Sequence, residues 1–271
     1  MSGFAMVALG LAAVSVLAQE EGSGDTEIGR WIEDLRDADP NVRDRATKSL
    51  EEQGASAKSA LLAARQDPDP EVRGRVDLIL ERVRRRIFER LAQMTAERVS
   101  PEARRRLEGA SICVCFAGTG PQVPLSTVAA VLEDARGGGV HCSEGMKCSQ
   151  EPIDLHDLEG DLAWILDRLA TQGLVVQEER EGGIDVSLVQ EALSRIETLD
   201  FLVGQLAEGE EWNACMALDV LVWATGQDLG FDWTAPFEEE RRAAASRWRA
   251  WLDANRGRIR WDERNEMFVE D

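Results

Sequence analysis

A nine-residue stretch of this chain recurs thirty positions later with six residues unchanged. Asp37-Ala38-Asp39-Pro40-Asn41-Val42-Arg43-Asp44-Arg45 returns as Asp67-Pro68-Asp69-Pro70-Glu71-Val72-Arg73-Gly74-Arg75, and Leu50-Glu51 returns as Leu80-Glu81. A self-match at this period constrains the segment to stacked helical hairpins, each burying its apolar stripe against a neighbour. Within each copy, Asp39 or Asp69 can cap a helix and the following proline fits its first position. Valine and leucine then supply the buried stripe. Between the copies, after a break at Gly54, Ala57, Ala60, Leu61 and Ala64 form the apolar face of the partnering helix.

These residues resemble HEAT repeats of the short, roughly thirty-residue kind, from about Glu27 to Arg86. The resemblance implies an α-solenoid that offers a surface to other proteins and carries no catalytic residue. Two copies are few for a free-standing stack, so other parts of the chain must cap it. The repeat unit is expected over 27–110. Its end is rich in arginine, with Arg82, Arg84, Arg85 and Arg86 followed by Arg104, Arg105 and Arg106. The cluster reads either as an anion or acidic-partner site or as a solvated helix face laced with Glu–Arg pairs.

The hydrophobic period changes at Ser111. Ile112, Val114 and Phe116 alternate as in a strand, whereas Leu125, Val128, Ala129 and Leu132, and later Leu162, Ile165, Leu166 and Leu169, keep helical spacing. Val140–Ser143, Ile153–Leu155, Leu174–Val176 and Ile184–Leu188 read as further strands. The order is strand, helix, two strands, helix, two strands. This stretch, 111–189, resembles the short N-terminal domain of secretins and TonB-dependent receptors, through Pro124-Leu125, Gly137, Ile153-Asp154-Leu155, Leu158, Leu162, Leu166 and Gly173-Leu174. The resemblance implies a periplasmic interaction module of two helices packed with small sheets. Cys142 and Cys148 flank five residues that look like a turn, so a disulfide between them is expected in an oxidising compartment, worth about 2 kcal/mol by loop closure. A zinc site using His141, Cys142, Cys148 and Cys113 or Cys115 is the alternative, though no CxxC pair occurs.

From 190 to 257 the pattern is helical again, leaving 258–271 as a tail. Thr234 is a candidate cap for a last helix that opens on Glu238-Glu239-Glu240. Six of the eight tryptophans fall in the last sixty residues. The Thr225–Asp232 loop and the Trp248-x-x-Trp251 helix resemble the closing segment of HEAT-containing secreted bacterial proteins. Trp248 and Trp251 are expected to be structural anchors, while Trp233 with Asp228 and Asp232 is the combination a sugar site would use.

Residues 1–18 carry no charge and end in Val16-Leu17-Ala18, which reads as a secretory signal cleaved after Ala18, with an uncleaved anchor as the alternative. A polar linker, 19–26, follows. No later segment is apolar over the roughly 20 residues a membrane span requires. The expected location is the periplasm or the outside of the cell. The formal charge of −20 divides as −2 over 19–110, −9 over 111–190 and −9 thereafter, which argues against a nucleic-acid binder. Chemistry is equally sparse. HExxH, GxSxG and Walker motifs are absent, Gly118-Thr119-Gly120 lacks the phosphate-binding lysine, and His156 beside Asp157 alternates with apolar neighbours. The sequence therefore points to a mostly helical α+β protein without cofactor or metal, a non-enzymatic scaffold for a protein partner. Alternatives are an accessory subunit of a secretin-like or outer-membrane assembly, and a carbohydrate-binding or hydrolytic protein using its Trp-rich end.

Overall fold

The structure, a computed structural model, describes residues 23–114, 122–135, 139–154 and 158–271. The segment read as a signal, Gly118-Thr119-Gly120, Cys115 and His156 lie outside these residues. Helices α1 (Ser23–Asp34) and α2 (Pro40–Gln53) form one hairpin. A 3-10 turn (Gly54–Ala57), α3 (Lys58–Ala64) and α4 (Pro70–Ala96) form the next. Helix α1 thus begins inside the stretch read as a linker. The same cap starts α2 and α4: Asp39 accepts from the Asn41 N–H at 2.9 Å, Asp69 from the Glu71 N–H at 2.8 Å, and proline opens each helix where its missing N–H costs nothing. The motif arginines close the loops. Arg43 donates to the Asp37 and Ala38 carbonyls, and Arg73 donates in the same way to Asp67 and Pro68.

A second body follows. It contains α5 (Pro101–Glu108), β1 (Ser111–Val114), β2 (Gln122–Pro124), α6 (Leu125–Asp134), β3 (Val140–Cys142), α7 (Glu144–Cys148), β4 (Pro152–Asp154), β5 (Leu158–Asp161), α8 (Leu162–Thr171), β6 (Val175–Arg180) and β7 (Gly183–Leu188). Strands β1–β5 and β2–β4 are antiparallel pairs, and β3-β7-β6 is a three-stranded sheet in which β3 runs parallel to β7. Leu125, Leu132, Leu162, Leu166, Ile184 and Val186 fill its core. Val99, Ala103, Leu107 and Ala110 share that core, so this body begins ahead of the expected boundary at Ser111.

The disulfide expected between Cys142 and Cys148 is not formed. The intervening residues are the helix α7, with Ser143 Oγ accepting from the Met146 N–H at 3.2 Å, rather than a turn that would close the two cysteines together. Cys142 is buried, its thiol 3.7 Å from the Ala129 carbonyl, and Cys148 is exposed at the helix end. Burial, reinforced by the Glu133 carboxylate, pushes the Cys142 thiol up to about 12.

The chain then returns to the repeats through α9 (Val189–Leu193), α10 (Ile196–Glu208), α11 (Glu211–Thr225) and α12 (Phe237–Asn255). Helix α11 packs on α4 and on the 3-10 turn, and α10 lies between α11 and α12. Thr234 does not cap α12. Its N–H and hydroxyl both go to Asp232, and the helix starts after Pro236. Residues 258–271 are not a tail but the hairpin β8 (Ile259–Asp262) and β9 (Met267–Glu270), with Phe268 buried in the first core. The alternation of Ile259, Arg260, Trp261 and Asp262 around a polar turn explains it. The fold is mostly helical α+β, and no described helix is long and apolar enough to cross a membrane.

Candidate functional site

A cleft of about 670 Å³ lies where the two bodies meet. Alternation along the three-stranded sheet builds its floor. Ile184 and Val186 enter the core, so Asp185 and Ser187 face the other way, beside Val176 and Glu178 on β6 and His141 on β3. One wall is the end of α4, with Leu91, Thr95 and Arg98. The opposite wall is the start of α10, with Glu197, Thr198 and Phe201.

Charge in the cleft is largely paired. Arg180 meets Asp185 at 2.7 Å, and Glu178 is shared by Arg180 at 3.7 Å and Arg195 at 3.6 Å. Arg98 lies 4.8 Å over the Phe201 ring and has no carboxylate partner among the described residues. The floor hydroxyl of Ser187, in a residue only 5% exposed, also has no protein partner there. A planar cation on an aromatic face, a hydroxyl and a ladder of ion pairs can supply hydrogen bonds and stacking to a ligand.

At each edge of this sheet a backbone N–H is taken by a side chain. At β6 the Gln177 N–H donates to Thr95 Oγ1 at 3.3 Å, and Glu179 accepts from the Ser100 N–H and hydroxyl at 2.8 and 2.9 Å. At β3 the Cys142 N–H goes to Glu133 at 3.0 Å. Burial works against the Glu133 charge, but that N–H and Lys147 prevail and hold its carboxyl below the usual range.

The arginines singled out in the sequence do not converge. Arg82 pairs with Glu51 at 2.6 Å, Arg84 Nε reaches both Glu266 oxygens at 2.9 Å, and Arg85 faces Glu89 at 3.9 Å. Arg86 donates to the Glu51 carbonyl and Arg104 to Asp167, while Arg105 and Arg106 sit in the last turn of α5. Most of them are cross-ties between segments distant in sequence. Trp248 is buried and meets Trp251 edge-on at 5.9 Å. Among the described residues no three His, Cys, Asp or Glu side chains come together as a metal site.

A buried lysine also escaped the sequence reading. Lys58 is 1% exposed, and its ammonium donates to the Trp223 carbonyl at 2.9 Å and the Glu266 carbonyl at 2.6 Å, 4.0 Å over the Trp223 ring. Glu266 holds a left-handed φ of 49° at the tip of the β8–β9 hairpin. Burial lowers the Lys58 ammonium to about 7 against the pull of Glu266 and Asp262. Its one sequence cue is a lysine among alanines at the start of an apolar helix. Comparisons with family models, curated proteins and solved structures found no match to this chain.

Proposed function

We propose that the protein is a non-enzymatic interaction scaffold, secreted or periplasmic, built on HEAT-like repeats, and that its central cleft receives a segment of a partner protein. The cleft carries this reading: it is open, floored by a polar sheet face, walled by the repeat helix α4, and equipped with the Arg98–Phe201 stack as an anchor. Phe201 supplies apolar area, and the guanidinium above it can face a carboxylate or carbonyl of the partner. The HEAT-like unit serves as a rigid wall that holds α4 against the sheet.

The test is a pull-down from envelope extract with the wild-type chain and with an Arg98→Ala/Phe201→Ala variant of unchanged circular dichroism. A specific protein recovered by the wild type and lost by the variant supports the cleft. Equal recovery by both removes it. A second reading is favoured by Trp233, which is 67% exposed on a loop pinned by Arg247 to the Leu229 and Gly230 carbonyls. Such a ring could stack on a sugar, and glycan-array binding abolished by Trp233→Ala would establish that use.

A further inference from the structure

The two repeat copies pack through three rungs. Arg36 reaches Asp67, Arg43 meets Glu71 at 2.9 Å, and Arg75 meets Asp44 at 2.9 Å and Thr47 at 3.3 Å. Thirty residues earlier, Asp37, Asn41 and Arg45 stand where Asp67, Glu71 and Arg75 stand in the second copy. Among the described residues, Asp37 has no cationic partner and Arg45 has no partner at all. Both are exposed. Val72 is fully buried, whereas its counterpart Val42 is half-buried. The first hairpin therefore carries the receiving half of a repeat joint, and the internal joint is a template for what fills it.

We propose that this end of the stack docks a further helical hairpin of the same repeat, supplied by a partner protein. The template states the partner's chemistry: an arginine opposite Asp37, as Arg36 is opposite Asp67, and a carboxylate opposite Arg45, as Asp44 is opposite Arg75. A second copy of this chain is a poor candidate, because its own Arg36, Asp44 and Thr47 are engaged with the second hairpin. Ser49 stands where the template has the fully buried Ile79, which makes the face more polar than the internal joint. The contact is thus weaker than the covalently connected joint and reversible. It lies on the repeat end and is independent of the central cleft.

The experiment uses the full chain extended after Asp271 by a flexible linker and a copy of residues 23–53, so that docking is not imposed by chain connectivity. Hydrogen exchange across Val42–Ser49 is read with and without the extension. At least tenfold slower exchange is expected in the extended chain, lost with Arg45→Glu and restored when the appended copy carries Asp44→Arg. Exchange unchanged by the extension overturns the proposal. Slowing that ignores Arg45→Glu, or that is not restored by the compensating change, also overturns it.

Discussion

The two cores of this protein are sealed by different means. In the helical core, charges join the most remote segments: Lys58 ties α3 to α11 and to the terminal hairpin, Arg84 holds Glu266, and Arg90 holds Asp219. In the mixed core the polar ties stay within the body, from Ser100 to Glu179 and from Arg104 to Asp167. Glu133 serves the neighbouring strand β3, and Glu191 accepts from the Ser143 hydroxyl and the Gly145 and Leu188 N–H groups. Helices presented edge to edge leave carbonyls and long side chains at their seams, and arginine or lysine can bridge these. A sheet covered by two helices satisfies most of its backbone within itself, so its side-chain ties serve strand ends and helix starts.

Cavities are the strongest probe of that contrast. Trp248→Ala empties the largest fully buried side chain and is expected to cost about 3–5 kcal/mol, while Leu166→Ala in the mixed core costs about 2–5 kcal/mol. Seven of the eight tryptophans lie outside the mixed body, so fluorescence follows the helical core and far-ultraviolet dichroism follows both. Coincident melts in both variants would mean that the cores unfold as one. Separated melts would show two cooperative units.

Gly173 tests the seam between them. It has φ 67°, and a Cβ there would lie 2.8 Å from the Glu89 N of α4. Gly173→Ala is expected to cost about 1–3 kcal/mol and to loosen the mixed body from α4. A melting temperature within a degree of wild type would refute the close approach.

The cores also differ in pH dependence, and its sign is opposite in the two. The folded Lys58 ammonium releases its proton near 7 and the unfolded one near 10.5. The unfolded state therefore holds more protons in that window, and stability rises with pH across it. Cys142 goes the other way. Its folded thiol keeps the proton to about 12 while the unfolded thiol loses it near 9.0, so its contribution falls over that interval. Lys58→Met should flatten the first slope and Cys142→Ala the second, in denaturant titrations between pH 6.5 and about 11.5. If both slopes survive both variants, other groups set the pH dependence.

The repeat was legible because its information is local. The Asp–Pro cap, the valine and leucine stripe and the loop-closing Arg43 and Arg73 act within one loop and one helix, and the structure uses them in that way. Most strands of the middle body were also visible from alternation. The terminal hairpin was missed because eight paired residues around a charged turn look like a polar tail until Phe268 finds a core. Lys58, the arginine ties and the cleft were hidden for a different reason. Each depends on residues separated by tens to hundreds of positions, as in the 208 between Lys58 and Glu266, and no spacing rule records such meetings.

Helix α4 bears on everything above. At 27 residues it is about 40 Å of continuous helix, with its first turns in the repeat joint and its last turns in the wall of the cleft. It behaves as a lever. A tilt of about 5° pivoting at one end displaces the other by about 3.5 Å, more than enough to make or break a hydrogen bond. An occupant of the cleft would press on one end of this rod while the pairs Arg43–Glu71 and Arg75–Asp44 hold the other against the first hairpin.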